Sequence, residues 1–208
     1  MPDPAIPAEH TGGWQRITIA VGDGEPYEDS TVWWLQAPSR HADLRTPLAD
    51  GNGAEPMCFA GTTSWEDPSL TWAPALELTP SAFVDIGAIS WDGDDMLEAG
   101  EFAGDDGAVG YVERWRRLPD SEGPLLALER EGGRIVRAGR YALTVLDDRP
   151  QGDFVGVAWE LDGGRWVEQR RWPPTVAGAA PPPPLALPAG ITVVLEDARV
   201  WVVVEVRS

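Results

Sequence analysis

Apolar and polar residues alternate along this chain in short runs, and Gly, Pro and Asp repeatedly interrupt them. No stretch holds the 3.6-residue apolar rhythm of an ordinary helix, whereas β-branched and aromatic residues crowd into each run, the pattern of strands bounded by turns. Fourteen strands follow: Trp14–Val21, Thr31–Gln36, Met57–Ser64, Leu70–Leu78, Val84–Trp91, Met96–Phe102, Val109–Leu118, Leu125–Arg130, Arg134–Arg140, Tyr141–Leu146, Phe154–Leu161, Arg165–Trp172, Ile191–Glu196 and Val200–Val206. Asp162-Gly163-Gly164 is a hairpin-type loop between two of them. The spacing predicts an all-β fold, with two antiparallel barrels or one large barrel or sandwich. A short echo between Val112–Arg117 and Val167–Trp172 favours two units, with a boundary near Pro119–Pro124. The division expected is an extended or disordered N-terminus at 1–13, a first barrel at 14–120 and a second at 121–208.

Within the second unit, Pro173–Pro188 cannot pair inside a sheet. It is an extended or polyproline connector, and its Val176, Leu185 and Leu187 would lay it against the barrel; a free linker is the alternative. Val200–Val206 is so apolar that burial is expected, either centrally or against a second copy of the chain, so a homodimer is one expectation.

Composition narrows the class. In 208 residues, 34 acidic side chains face 16 basic ones for a net charge of −18, and all of the basic ones are Arg. Without Lys there is no Schiff-base chemistry and no P-loop, and the acidic surface repels nucleic acid and anionic membrane. One cysteine, Cys58, forms no internal disulfide or thiolate metal cluster and fits a reducing compartment, so a cytoplasmic location is expected. The first thirteen residues show neither the basic nor the apolar region of a secretory signal. His10 and His41 are too few for a zinc or haem site, and no cofactor is expected. The acidic turns Asp92–Asp95 and Asp105–Asp106 lack the spacing of a calcium loop and read as solvated hairpin ends, so no metal is expected. An Arg/Ala/Gly/Pro bias points to a bacterial source.

Eleven tryptophans are the most unusual feature. Each buries a large ring and carries one N–H that needs a partner when enclosed, so core filling explains any one of them. Collectively they could line a cavity for a flat or apolar molecule. Alternation places Tyr111, Glu113, Trp115 and Arg117 on one strand face, a plausible pocket wall, with Val112, Arg114 and Arg116 outward. The same rule puts Leu70, Trp72, Pro74, Leu76 and Leu78 together with Glu77 outward, and turns Trp159 inward. Ligand-binding candidates are thus Trp33, Trp34, Arg45, Trp72, Tyr111, Glu113, Trp115 and Trp159.

Candidate chemistry lies in Ser39–Arg45, where strand spacing aligns His41, Asp43 and Arg45 on one face. A carboxylate beside an imidazole can make a general base, but Asp43 could equally be held by Arg45. Cys58, in an apolar run, reads as a buried small hydrophobe.

Several segments in order, Phe59–Ser64, Trp72, Asp85–Gly87, Met96–Gly100, Tyr111–Arg116 and Arg134–Gly139, resemble the fungal casein-kinase-interacting proteins and their bacterial relatives. The likeness covers roughly 14–172. It implies two calycin-like (lipocalin-like) barrels with hydrophobic interiors, and it brings no catalytic residues with it.

Three functional readings follow. The first is a barrel that binds a small apolar or aromatic molecule. The second is a cofactor-free isomerase, cyclase, lyase or hydrolase using His41 with Asp43, or Glu113 with Tyr111. The third is a protein-interaction module with solid interiors.

Overall fold

The computed structural model describes residues 6–51, 53–81, 84–104, 107–150, 152–176, 181–184, 189–195 and 199–207. Asp105, Asp106, Leu185 and Leu187 lie outside these residues. Eight strands close into an antiparallel barrel: β1 (Gly12–Val21), β2 (Ser30–Gln36), β3 (Arg40–Pro47), β4 (Met57–Glu66), β5 (Ser69–Glu77), β6 (Asp85–Asp92), β7 (Asp95–Gly104) and β8 (Gly107–Arg117). Each strand pairs with its sequence neighbour, and β8 returns to β1. The remaining strands are β9 (Leu125–Arg130), β10 (Gly133–Ala138), β11 (Tyr141–Asp147), β12 (Phe154–Asp162), β13 (Arg165–Trp172), β14 (Thr192–Val194) and β15 (Val200–Arg207). They form one sheet in the order β13-β12-β11-β10-β9-β15-β14. The protein is all-β as expected, with a closed barrel first and a seven-stranded sheet, rather than a second ring, after it.

Among the described residues there are fifteen strands, one more than the fourteen of the sequence reading: β3, the polar run of the His41 constellation. Its apolar side chains face outward. Ala42 and Leu44 join Leu35, Cys58 and Ala60 on the barrel's outer wall, where they pack against Leu125, Val136 and Leu143 of the sheet. That seam explains why His41, Asp43 and Arg45 must point inward: the period of two leaves them no other side.

The sheet is covered on both faces. Leu143, Phe154 and Ala158 meet the barrel, while Leu128, Ile135, Val157, Trp159 and Trp201 form a second apolar layer with Val176 and Ile191. Thr144 donates to the Pro181 carbonyl at 2.8 Å, and Pro181 is buried. The described part of the Pro-rich run therefore lies on the sheet. β15 is central, between β9 and β14. It buries Trp201 and Val203 but exposes Val200 and Val202 on its other face. Among the described residues, no helix is long and apolar enough to cross a membrane.

Candidate functional site: the charged half of the barrel

An eight-stranded barrel has an interior just wide enough for side chains to fill. Near the β1 start, indoles fill it. Trp14, Trp34, Trp72 and Trp115 pack with Val32, Leu70, Ile89 and Met96, and Trp34 meets Trp72 and Trp115 edge-on, each at 5.4 Å. Residues 6–11 stop this end: Ile6 enters the same cluster, and the His10 carbonyl accepts the Trp14 indole N–H at 3.1 Å. The His10 ring lies 4.6 Å from that of Trp65. Indoles that could have rimmed a cavity thus occupy one half of the barrel themselves.

The other half is charged. Arg16 Nη1 donates to Glu113 at 2.6 Å, and its other nitrogens grip Glu28 at 3.0 and 2.9 Å. Arg45 reaches Asp43 at 3.0 Å and Glu113 at 3.3 Å, with its guanidinium 5.6 Å from the centre of the Phe59 ring. Opposite them, the Tyr111 hydroxyl lies 3.0 Å from Glu98 and 3.2 Å from Asp85, and the Trp115 indole N–H donates to Glu98 at 3.0 Å. Two glycines make the room. A Cβ on Gly100 would stand 2.5 Å from the Tyr111 hydroxyl, and one on Gly87 would stand 2.5 Å from Cγ of Glu98. Trp34, Asp43, Arg45, Phe59, Trp72, Asp85, Glu98 and Trp115 surround a recess of about 10 Å³, the space of about one water.

Burial decides the protonation states here. Glu98 is pushed well above the usual carboxylate range by burial, reinforced by the neighbouring charges of Glu113 and Asp85. Burial also raises Asp85, and it raises Asp43 to about 6 against the pull of Arg45. Hydrogen-bond counting agrees. The Tyr111 hydroxyl has one proton yet lies within bonding distance of two carboxyl groups, so one of them carries a proton of its own.

Tyr111, Glu113, Trp115, Trp34, Trp72, Arg45, Asp43 and His41 all project into the barrel. The pairings differ from those read in the sequence. His41 Nδ1 meets the Thr63 hydroxyl at 2.9 Å; Thr63 donates onward to Gln36, which also takes the Trp34 indole N–H. Asp43 turns instead to Arg45. Burial lowers the His41 pKa to about 3, so the ring is neutral near pH 7. Glu113 is held by two arginines rather than by Tyr111. Two of the candidate tryptophans lie outside the barrel interior. Trp33 packs on its outer wall at the seam, and Trp159 lies in the far layer of the sheet, bonded to Thr144 at 3.1 Å. Cys58 is buried in the seam with its thiol pKa raised by burial, which makes it inert.

Leu76 and Glu77 also change places from the alternation reading. The pairing of β4 with β5 slips between Ala60 and Gly61, which sends Leu76 to the seam and sets Glu77 opposite Phe59. Glu98, Asp85 and Arg16 went unread. The signal for Glu98 was present, since Met96, Glu98, Gly100 and Phe102 share one face of β7, a carboxyl among apolar residues and a glycine.

Fold and site together define a two-part β-protein: a closed antiparallel barrel, half indole and half charged, backed by a sheet with apolar layers on both faces. The chain belongs to the HRI1 protein family, which it matches over residues 14–205, a span that takes in the Pro-rich run and the last two strands. The crystal structure of the uncharacterized protein YLR301w from Saccharomyces cerevisiae is similar, with a TM-score of 0.74 over 95% of this chain and 99% of that one. At 17% identity, that likeness is one of fold. No curated protein matches the chain.

Proposed function

We propose that the protein binds a small, flat, positively charged molecule in the charged half of its barrel, in the manner of a calycin-like ligand barrel. The observation that carries this reading is the imbalance around the recess. Four inward carboxyl groups, Asp43, Asp85, Glu98 and Glu113, face two guanidinium groups, Arg16 and Arg45, amid four aromatic rings. Taking a carboxylate out of water costs on the order of several kcal/mol unless a cation pairs with it, which is why burial holds Glu98 and Asp85 toward their protonated forms; a cationic guest would let them ionise and would offset that cost. Indole and phenyl faces attract the same guest through their quadrupoles.

The recess as it stands holds about one water, so binding requires a side chain to move. Arg45 is the movable member: its side chain is 16% exposed, against 5% for Arg16. A ligand cation would take over its contacts with Asp43 and Glu113. Purely apolar guests find no space, because the indole half is filled.

The experiment is a thermal-shift and native mass-spectrometry panel of aromatic amines and amidines, each matched to a neutral amide of the same shape. At least one cation should raise the unfolding midpoint and appear as a bound mass, while its neutral partner does neither. Equal response to both members of every pair, or none to any, would reject the proposal. Arg45→Ala, which removes the competing guanidinium, should tighten binding of the cation about tenfold.

A further inference from the structure

Trp33 and Arg170 meet at the seam between barrel and sheet, outside the recess. The Arg170 guanidinium lies 4.5 Å over the Trp33 ring, and that ring meets Tyr141 edge-on at 5.2 Å and 83°. Arg170 stands opposite Ala158 in the β12–β13 pairing, and Ala158 belongs to the seam core, so the side chain points at the barrel. Both of its terminal nitrogens are closed off from solvent, and among the described residues neither has a hydrogen-bond partner. Neighbouring carboxylates on the sheet are engaged elsewhere, Glu168 by Arg171 and Glu160 by Arg140. The carboxylate whose charge reaches Arg170 is Asp43, and it is bonded to Arg45 inside the barrel. Burial lowers the Arg170 pKa to about 10, which leaves the group charged at neutral pH.

A guanidinium cannot relieve this position by shedding its proton. Stacking on Trp33 covers one face of its plane and leaves the in-plane N–H donors of the two terminal nitrogens unused. Ring edges, as in the Trp33–Tyr141 pair, carry partial positive charge. We propose that the seam holds a small monovalent anion, a halide or a carboxylate group, bound by the in-plane donors of Arg170 beside the Trp33–Tyr141 pair. The net charge of −18 opposes anions at long range, so attraction must be local and should persist at an ionic strength that screens the rest of the surface.

The test compares thermal unfolding in sodium chloride, sodium bromide, sodium acetate and sodium gluconate at one ionic strength, gluconate serving as the bulky control anion. The wild-type midpoint should rise by roughly 2–4 °C in the favoured small anion. The halide and acetate arms separate an inorganic ion from a carboxylate. Arg170→Met, which keeps the stem and removes the charge, should show the same midpoint in all four salts. Should that variant fail to fold, bromide-soaked wild-type crystals provide the second readout, an anomalous peak within hydrogen-bond distance of the Arg170 terminal nitrogens. Midpoints independent of the anion in the wild type, an unchanged anion response in Arg170→Met, or bromide sites elsewhere only would overturn the proposal.

Discussion

The two halves of the barrel interior are built from the same eight strands, yet one is packed with indoles and the other with ionised and protonated side chains. The indole half behaves like an ordinary core. Trp14, Trp34, Trp72 and Trp115 are each less than 5% exposed and gain by leaving water. The charged half buries Arg16, Asp43, Glu98 and Glu113 almost as deeply, and each of these loses hydration that its partners restore only in part. The sheet shows that the chain can build apolar layers where nothing else is required, with Leu143, Val145 and Phe154 on one face of β11 and β12 and Leu146, Val155 and Val157 on the other. Placing carboxyl groups where apolar residues would serve is the feature on which the proposed function rests.

The largest expected effect is in the indole half. Trp115→Ala should lower stability by about 3–5 kcal/mol, seen as an earlier midpoint in urea unfolding, because it opens a cavity and strips Glu98 of a donor. An effect as small as that of a surface substitution would contradict the packing described here.

Next comes the charged half. Arg16→Met strips Glu28 of its guanidinium and Glu113 of the nearer of its two, and should cost about 3 kcal/mol, while adding Glu113→Gln to it should recover a good part of the loss. Additive losses in the double variant would mean that the two side chains do not act as a pair. At the seam, Gly156→Ala should cost about 1–3 kcal/mol, since its Cβ would stand 2.5 Å from the Cys58 sulfur and 3.0 Å from Leu44.

The smallest effect is in the pH profile. Asp43 is raised from 3.8 to about 6, so its contribution is fully present below its unfolded value and is lost as pH climbs through about 6; Glu98 and Asp85 act in the same direction. His41 is lowered from 6.5 to about 3, so its contribution is present above its unfolded value and is lost as pH falls toward 3, and His10 acts with it. Between about pH 4 and 6 the two groups of residues oppose each other and the wild-type profile should be shallow. His41→Gln removes one side of that balance, so the variant's stability should fall more steeply as pH rises through this window. Superimposable profiles would show that these two sites do not govern it.

The strands were legible because turn residues punctuate them and alternation fixes their faces; Tyr111, Glu113 and Trp115 point inward as the period of two requires. β3 was legible as a cluster of polar residues but not as a strand, because its buried outer face, Ala42 and Leu44, becomes meaningful only once the sheet packs there. For the same reason, no local pattern separates Trp33 from Trp34: adjacent strand residues face opposite ways, and both faces of β2 are covered. The slip between β4 and β5 exchanged Leu76 and Glu77, a shift set by pairing with another strand and invisible within β5 alone. The site's partnerships, Glu98 with Tyr111 and Arg16 with Glu113, join residues far apart in sequence that only barrel closure brings together.

The most direct measurement is a tryptophan fluorescence titration with an aromatic amidine and its neutral amide, in the wild type and in Glu98→Gln. Trp115 reports the event because its indole N–H bonds to Glu98. A saturable change for the amidine alone, weakened about tenfold or more in Glu98→Gln, is the result expected if the carboxyl-rich wall receives a cation. Equal curves for the charged and neutral ligands, or a wild type and variant that respond alike, would contradict it.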